Sequence, residues 1–253
     1  MTWKNEFANA KKVFKHGTWK QKIEYIFDYY KWHIIAILSI LLIIGSIIYT
    51  NNTEKNSVLN GMFLNTFAEA EVILELQNDF TTQFPINSSS EEIIFDSVFF
   101  YPSNETDHID LASSYETTQL LVSKIAAGNI DFVVAETSVL NEFIYGEYCY
   151  ALSEILSEEQ IDTFSPYFLY CDKALLEQIA NMDFTTEKLS DIDFPDPSKS
   201  GAMETPIPVM IDISDSPKVH MLYPNSTSTY ALAFIINGHN SQKALDFLEY
   251  LMQ

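Results

Sequence analysis

Between residues 34 and 49 the chain reads IIAILSILLIIGSIIY, sixteen residues without a charge, and only Ser39, Gly45 and Ser46 leave the apolar pattern. Counted from Trp32 the run has 18 residues, and a helix of that length spans roughly 27 Å, close to the hydrocarbon thickness of a bilayer. Tyr29, Tyr30 and Trp32 cluster at one border and Tyr49 marks the other, as aromatic belts do. This pattern predicts a transmembrane helix over 32–49. Ahead of it, Trp3, Phe7, Ala10 and Phe14, then Ile23, Ile26, Phe27 and Tyr30, keep a helical rhythm that Gly17 interrupts. Residues 1–31 therefore read as a basic amphipathic segment of the kind that lies on anionic lipid. No small-residue cleavage site follows the run, and no cysteine lies near its end. A cleaved signal peptide and a lipid-modified cysteine are both disfavoured, which leaves an uncleaved anchor.

After the run, 50–57 (TNNTEKNS) is polar and unpatterned and reads as a linker. Apolar runs predict strands over 58–64, 93–101 and 130–135, separated by amphipathic helices over 67–84 and 115–127. Gly128-Asn129 is a helix stop placed directly before the third strand. Strand, helix, strand, helix, strand implies crossover connections and a parallel sheet, hence an α/β fold for residues 58–253. The second half is less regular. It carries helix signals over 152–164 and 174–181, a Pro- and Asp-rich surface excursion over 191–208, strands over 209–213 and 230–236, and a closing helix over 241–252.

Charge divides along the same line. Residues 1–31 hold seven lysines against Glu6, Glu24 and Asp28, a net of +4, so the rest of the chain carries −25 of the formal −21 total. Lysine bias places the N-terminus in the cytoplasm and the C-terminal domain outside the cell membrane, with the lipid bilayer as the first partner. All 14 basic residues are lysines. Without arginine there is no planar fork for bidentate capture of carboxylates or phosphates. An acidic domain of this kind also repels nucleic acid.

Several passages together resemble bacterial extracellular solute-binding proteins. They are KIAAGNIDFVVAETSVLNEF (124–143), GEYCYALSEIL (146–156) and YALAFIINGHNSQKALDFLEYLM (230–252). The first is a helix, a Gly-Asn turn and an apolar strand with an aspartate near its start, and the last is a closing strand, an Asn-rich turn and a helix. The resemblance implies a periplasmic-binding-protein-like, parallel-sheet α/β domain, in which the short length leaves one of two lobes reduced. It also implies a small-molecule ligand and a membrane transporter or complex subunit as partner.

Nucleophile, zinc-protease and phosphate-loop motifs are absent from the sequence, so a non-catalytic role without cofactor is expected. Ligand contacts are expected from loops at the carboxyl ends of the strands: Asn65, Thr66 and Phe67 after the first, Glu136, Thr137 and Ser138 after the third, with Tyr223 and Tyr230 flanking the later crossing. Asn65 and Thr66 are equally good helix caps. The absence of arginine and of tryptophan after Trp32 points to a neutral or cationic ligand. The alternative expectation is an accessory subunit that has lost solute binding. Cys149 and Cys171 read either as a disulfide or as two buried free thiols. The acidic groups Asp107, His108, Asp110 and Asp191, Asp193, Asp196 lack the order of a calcium loop and read as solvated loops, not as metal sites.

Overall fold

The computed structural model describes residues 15, 18–53, 55–66, 68–98, 111–182, 192–224 and 227–253. The chain divides into two units, Met1–Glu54 and Lys55–Gln253. The first contains α1 (Trp19–Thr53), a helix 35 residues long and free of proline. It therefore starts well before the apolar run and does not stop where the polar stretch begins. Asn51, Asn52 and Thr53 continue the last turn, because polar residues without Gly or Pro do not break a helix. The expected linker shrinks accordingly, since the first strand starts at Asn56. Among the described residues no helix is long and apolar enough to cross a membrane; the apolar run continues to Tyr49, past Ser46, the last residue of α1 with a described side chain.

The second unit is an α/β domain. Its elements are β1 (Asn56–Leu64), α2 (Ala70–Gln83), β2 (Glu91–Val98), α3 (Leu111–Ala126), β3 (Phe132–Glu136) and α4 (Thr137–Tyr145), then α5 (Glu158–Phe164), β4 (Phe168–Asp172) and α6 (Lys173–Ala180). The chain finishes with β5 (Pro206–Asp212), α7 (Pro217–Leu222), β6 (Tyr230–Phe234) and α8 (Ser241–Leu251). The six strands form one sheet in the order β2-β1-β3-β6-β5-β4. Strands β2, β1 and β3 are parallel, whereas β6 pairs antiparallel with β3, β5 with β6 and β4 with β5. The sheet is thus mixed and not parallel throughout. A buried apolar run looks the same in either direction, so the run over 230–236 fixed a strand but not its polarity.

Both faces of the sheet are covered, which explains why β1 and β3 are apolar on consecutive positions instead of alternate ones. On one face Phe63, Phe80, Phe95 and Phe132 gather around Phe247 of α8, which stacks on Phe132 at 4.6 Å. On the other face Met62, Leu64, Val133 and Ala135 pack against Leu121, Ile125, Leu140 and Ile144 from α3 and α4. Gly61 is required where the faces meet, since a Cβ there would lie 2.2 Å from the Phe132 ring. Helix α3 ends as its sequence dictates: Gly128 takes φ 71, and the Asn129 N–H donates to the Lys124 carbonyl at 2.9 Å.

Three elements escaped the sequence pattern. Helix α4 follows β3 with no loop between them, β4 is only five residues long, and α7 is a six-residue helix opened by Pro217. Each is too short for its periodicity to stand out.

Candidate functional site

The carboxyl ends of β1 and β3 are where a parallel α/β sheet opens a crevice for ligand. Most of the residues singled out from the sequence are here. Asn65 leaves β1 in the left-handed region, at φ 53, and its N–H donates to the Val98 carbonyl at 2.8 Å. Thr66 is fully buried; its hydroxyl donates to the Leu222 carbonyl and accepts from the Ala68 N–H at 3.2 Å. Glu136 ends β3 opposite Tyr230 of β6. The Thr137 N–H donates to the Thr229 carbonyl at 3.0 Å, and Ser138 is exposed. Phe67 lies outside the described residues.

Beside these residues Tyr223 is packed into the domain. It directly follows α7, is 3 % exposed and stacks on Tyr230 with ring centres 4.0 Å apart. Its hydroxyl lies 2.9 Å from the Leu64 carbonyl oxygen and 3.0 Å from that of Val134, so its one proton is donated to the last turns of β1 and β3 together. Burial, with a smaller contribution from Tyr230, raises the Tyr223 pKa well above the usual phenol value. The group is a neutral hydrogen-bond donor at any physiological pH and has no acid–base role there. Thr66, Tyr223 and Leu222 thus tie α7 across the strand ends. Among the described residues no buried side-chain nitrogen or oxygen lacks a partner.

Replacing Tyr223 by phenylalanine removes the donor and keeps the ring. The expected cost is about 1–2 kcal/mol, the worth of a buried hydrogen bond whose acceptors lose their partner. Urea unfolding of Lys55–Gln253 should show a lower midpoint at unchanged slope. An unchanged midpoint would mean that the hydroxyl does not tie the strand ends together.

A shallow groove elsewhere lies between α3 and α4, against Leu121, Ile125, Glu142 and Phe143. Its volume of about 20 Å³ holds a water at most, against roughly 300–1,000 Å³ for a small-molecule pocket. Neither periodicity nor motif marks this groove in the sequence.

Cys149 and Cys171 are free thiols in the structure. Cys149 bridges Ile235 at the end of β6, and Cys171 sits on β4 opposite Ile207; both enter the same apolar layer. Burial pushes Cys171 up to about 12, with Asp172 adding to the effect. Cys149 is raised further, by burial first and by Cys171 second. Thiols so protonated are poor nucleophiles and poor metal ligands. Of the acidic groups, Asp107, His108, Asp110 and Asp191 lie outside the described residues. Asp193 is exposed. Asp196 is occupied within its own turn: the Lys199 ammonium at 2.7 Å and the Ser198 hydroxyl and N–H hold its carboxyl down at about 2. Among the described residues no group of three or more His, Cys, Asp or Glu could hold a metal ion.

No protein-family model, no curated protein and no solved structure matches this chain. The likeness to solute-binding proteins therefore rests on the sequence passages alone.

Proposed function

We propose that this chain is a membrane-anchored, non-catalytic interaction protein, an accessory subunit of a membrane complex whose outer domain no longer binds solute. In this reading α1 is the anchor, residues 1–31 face the cytoplasm and the acidic Lys55–Gln253 unit lies outside the cell membrane. The β2-β1-β3 half with antiparallel β6 is the retained lobe of a periplasmic-binding-protein-like ancestor, and the other lobe is lost. The observation that carries the reading is Tyr223, a residue expected to face ligand, whose buried ring and hydroxyl are engaged by the chain's own Tyr230, Leu64 and Val134. A ligand-binding role for a neutral or cationic small molecule is the second reading. It is favoured by Glu136 and Tyr230 at the strand ends and by the acidity of the unit.

Thermal melting of Lys55–Gln253 against amines, amino acids, peptides, sugars and divalent cations separates the two. A ligand at 100 times its Kd adds about 2.7 kcal/mol, a rise of roughly 5–10 °C for a domain of this size. The interaction reading predicts a cooperative melt that none of the panel moves. A reproducible rise with one chemical class would replace it with the ligand-binding reading. In the full chain, the same reading predicts resistance to carbonate extraction and loss of the C-terminal unit to external protease.

A further inference from the structure

Helix α1 has an apolar stripe that no described residue of its own unit covers. Ile23, Tyr30, Ile37 and Ile44 recur every seven residues, and Phe27, Ile34 and Leu41 fall four residues after the first three. Alternating steps of four and three are the spacing of a coiled-coil seam. The charged residues Lys22, Glu24, Asp28 and Lys31 all lie off this seam, as do Ser39, Gly45 and Ser46. The seven seam residues expose between 40 % and 67 % of their surface.

Continuity of the helix decides what can cover them. With neither proline nor any break between Trp19 and Thr53, the 13 residues from Trp19 to Lys31 extend the anchor by roughly 20 Å along its own axis. Lying flat on lipid, as the amphipathic rhythm suggested, would need a kink at Lys31 that the helix does not have. Ile23, Phe27 and Tyr30 would then project into water as an uncovered stripe.

We propose that α1 pairs in parallel with α1 of a second copy of this chain along this seam. The proposal rests on the anchored reading, because a fixed orientation in the membrane makes any pairing of two copies parallel. At on the order of 200 Å² for a large side chain, the exposed fractions amount to about 700 Å² per helix, near the ~800 Å² per partner of a stable contact. In a parallel pair the seam is flanked by Glu24 and Lys31 on one side and by Ile26 and His33 on the other, so no like charges meet across it. Inside lipid the apolar residues gain only packing. The drive comes from Ile23, Phe27 and Tyr30, which leave water on pairing.

Oxidative crosslinking of the full chain in membranes tests the pair. In a Cys149→Ala/Cys171→Ala background, single cysteines replace Ile23, Phe27 or Tyr30 on the seam, and Lys22 or Asp28 off it. Carbonate-washed membranes are treated with copper phenanthroline. The expected result is a disulfide-linked product of twice the 28.9 kDa chain mass, at least tenfold stronger at seam positions than at Lys22 and Asp28. Equal crosslinking on all faces overturns the pair, as does its absence at the seam in carbonate-resistant membranes. A product of any other mass also overturns it, and identifies a different protein on the stripe. Release of the chain by carbonate overturns the anchored reading itself, and the pair with it.

Discussion

Replacing Asp131 by alanine should cost about 2–4 kcal/mol, a large part of the margin that keeps a domain folded. Asp131 directly precedes β3 and is 2 % exposed. One carboxyl oxygen accepts from the Asn60 N–H of β1 at 2.7 Å, and the other accepts from the Asn240 N–H at 2.8 Å. Its own N–H donates back to the Asn60 carbonyl at 2.8 Å. Asn240 in turn caps α8 by accepting from the Lys243 N–H at 3.0 Å. One side chain therefore joins a central strand, its neighbour and the start of the helix that carries Phe247. Alanine leaves the buried Asn60 N–H and the half-buried Asn240 N–H without acceptors, at roughly 1–3 kcal/mol for the first and less for the second. Asparagine keeps one acceptor oxygen and turns an amide NH₂ toward the other N–H, so its cost should fall between alanine and the wild type. Urea denaturation of the three proteins checks the order, and amide exchange should rise first at Asn60 and Asn240. If Asp131→Asn proved as stable as wild type, the two-sided clamp would be wrong. The same aspartate belongs to a passage that resembles solute-binding proteins, and here both its carboxyl oxygens are engaged by backbone N–H groups.

Alkali should unfold the outer domain cooperatively between about pH 10 and 11. Cys149, Cys171, Tyr145, Tyr223 and Tyr250 all have folded-state pKa values raised, in each case by burial first. A raised folded pKa contributes stability that is fully present below the unfolded pKa and is lost as pH climbs toward the folded one. For the thiols the loss begins near 9.0, the unfolded value, and for the phenols near 10.0. Each pH unit in that window costs about 1.4 kcal/mol per group. From pH 9 to 11 the two thiols alone remove on the order of 5 kcal/mol, a large part of a typical domain's stability. Far-ultraviolet circular dichroism should therefore collapse together with a step in tyrosinate absorbance, and Cys149→Ala/Cys171→Ala should push the midpoint upward. Smooth titration of every tyrosine near pH 10 with the fold intact would show that these groups are not sealed from water. On the acid side the sign reverses. The lowered Asp196 contributes stability above its unfolded pKa, lost as pH falls toward about 2; since this carboxyl sits at the surface, the loss should be small.

Much of the architecture follows from local chemistry. The uncharged run from Ile34, the division of charge around it, the runs behind β1, β2 and β3 and the Gly128 stop all depend on neighbours within a few residues, where periodicity and backbone preference act. The strand-end cluster was legible to the same extent, because Asn65, Thr66 and Glu136 simply follow their strands. Only the tertiary structure decided the rest. It turned β6, β5 and β4 antiparallel, a choice invisible to apolar runs that read alike in both directions. It also brought the Tyr223 hydroxyl to carbonyls 159 and 89 residues away in the chain. Tyr223 was named from the sequence as a residue that would face a ligand. It is buried against the chain's own strands because α7, six residues too short to announce themselves by periodicity, carries it to the carbonyls of Leu64 and Val134. Long-range contacts of that kind are set by which surfaces remain uncovered after the sheet forms, and no local pattern encodes them.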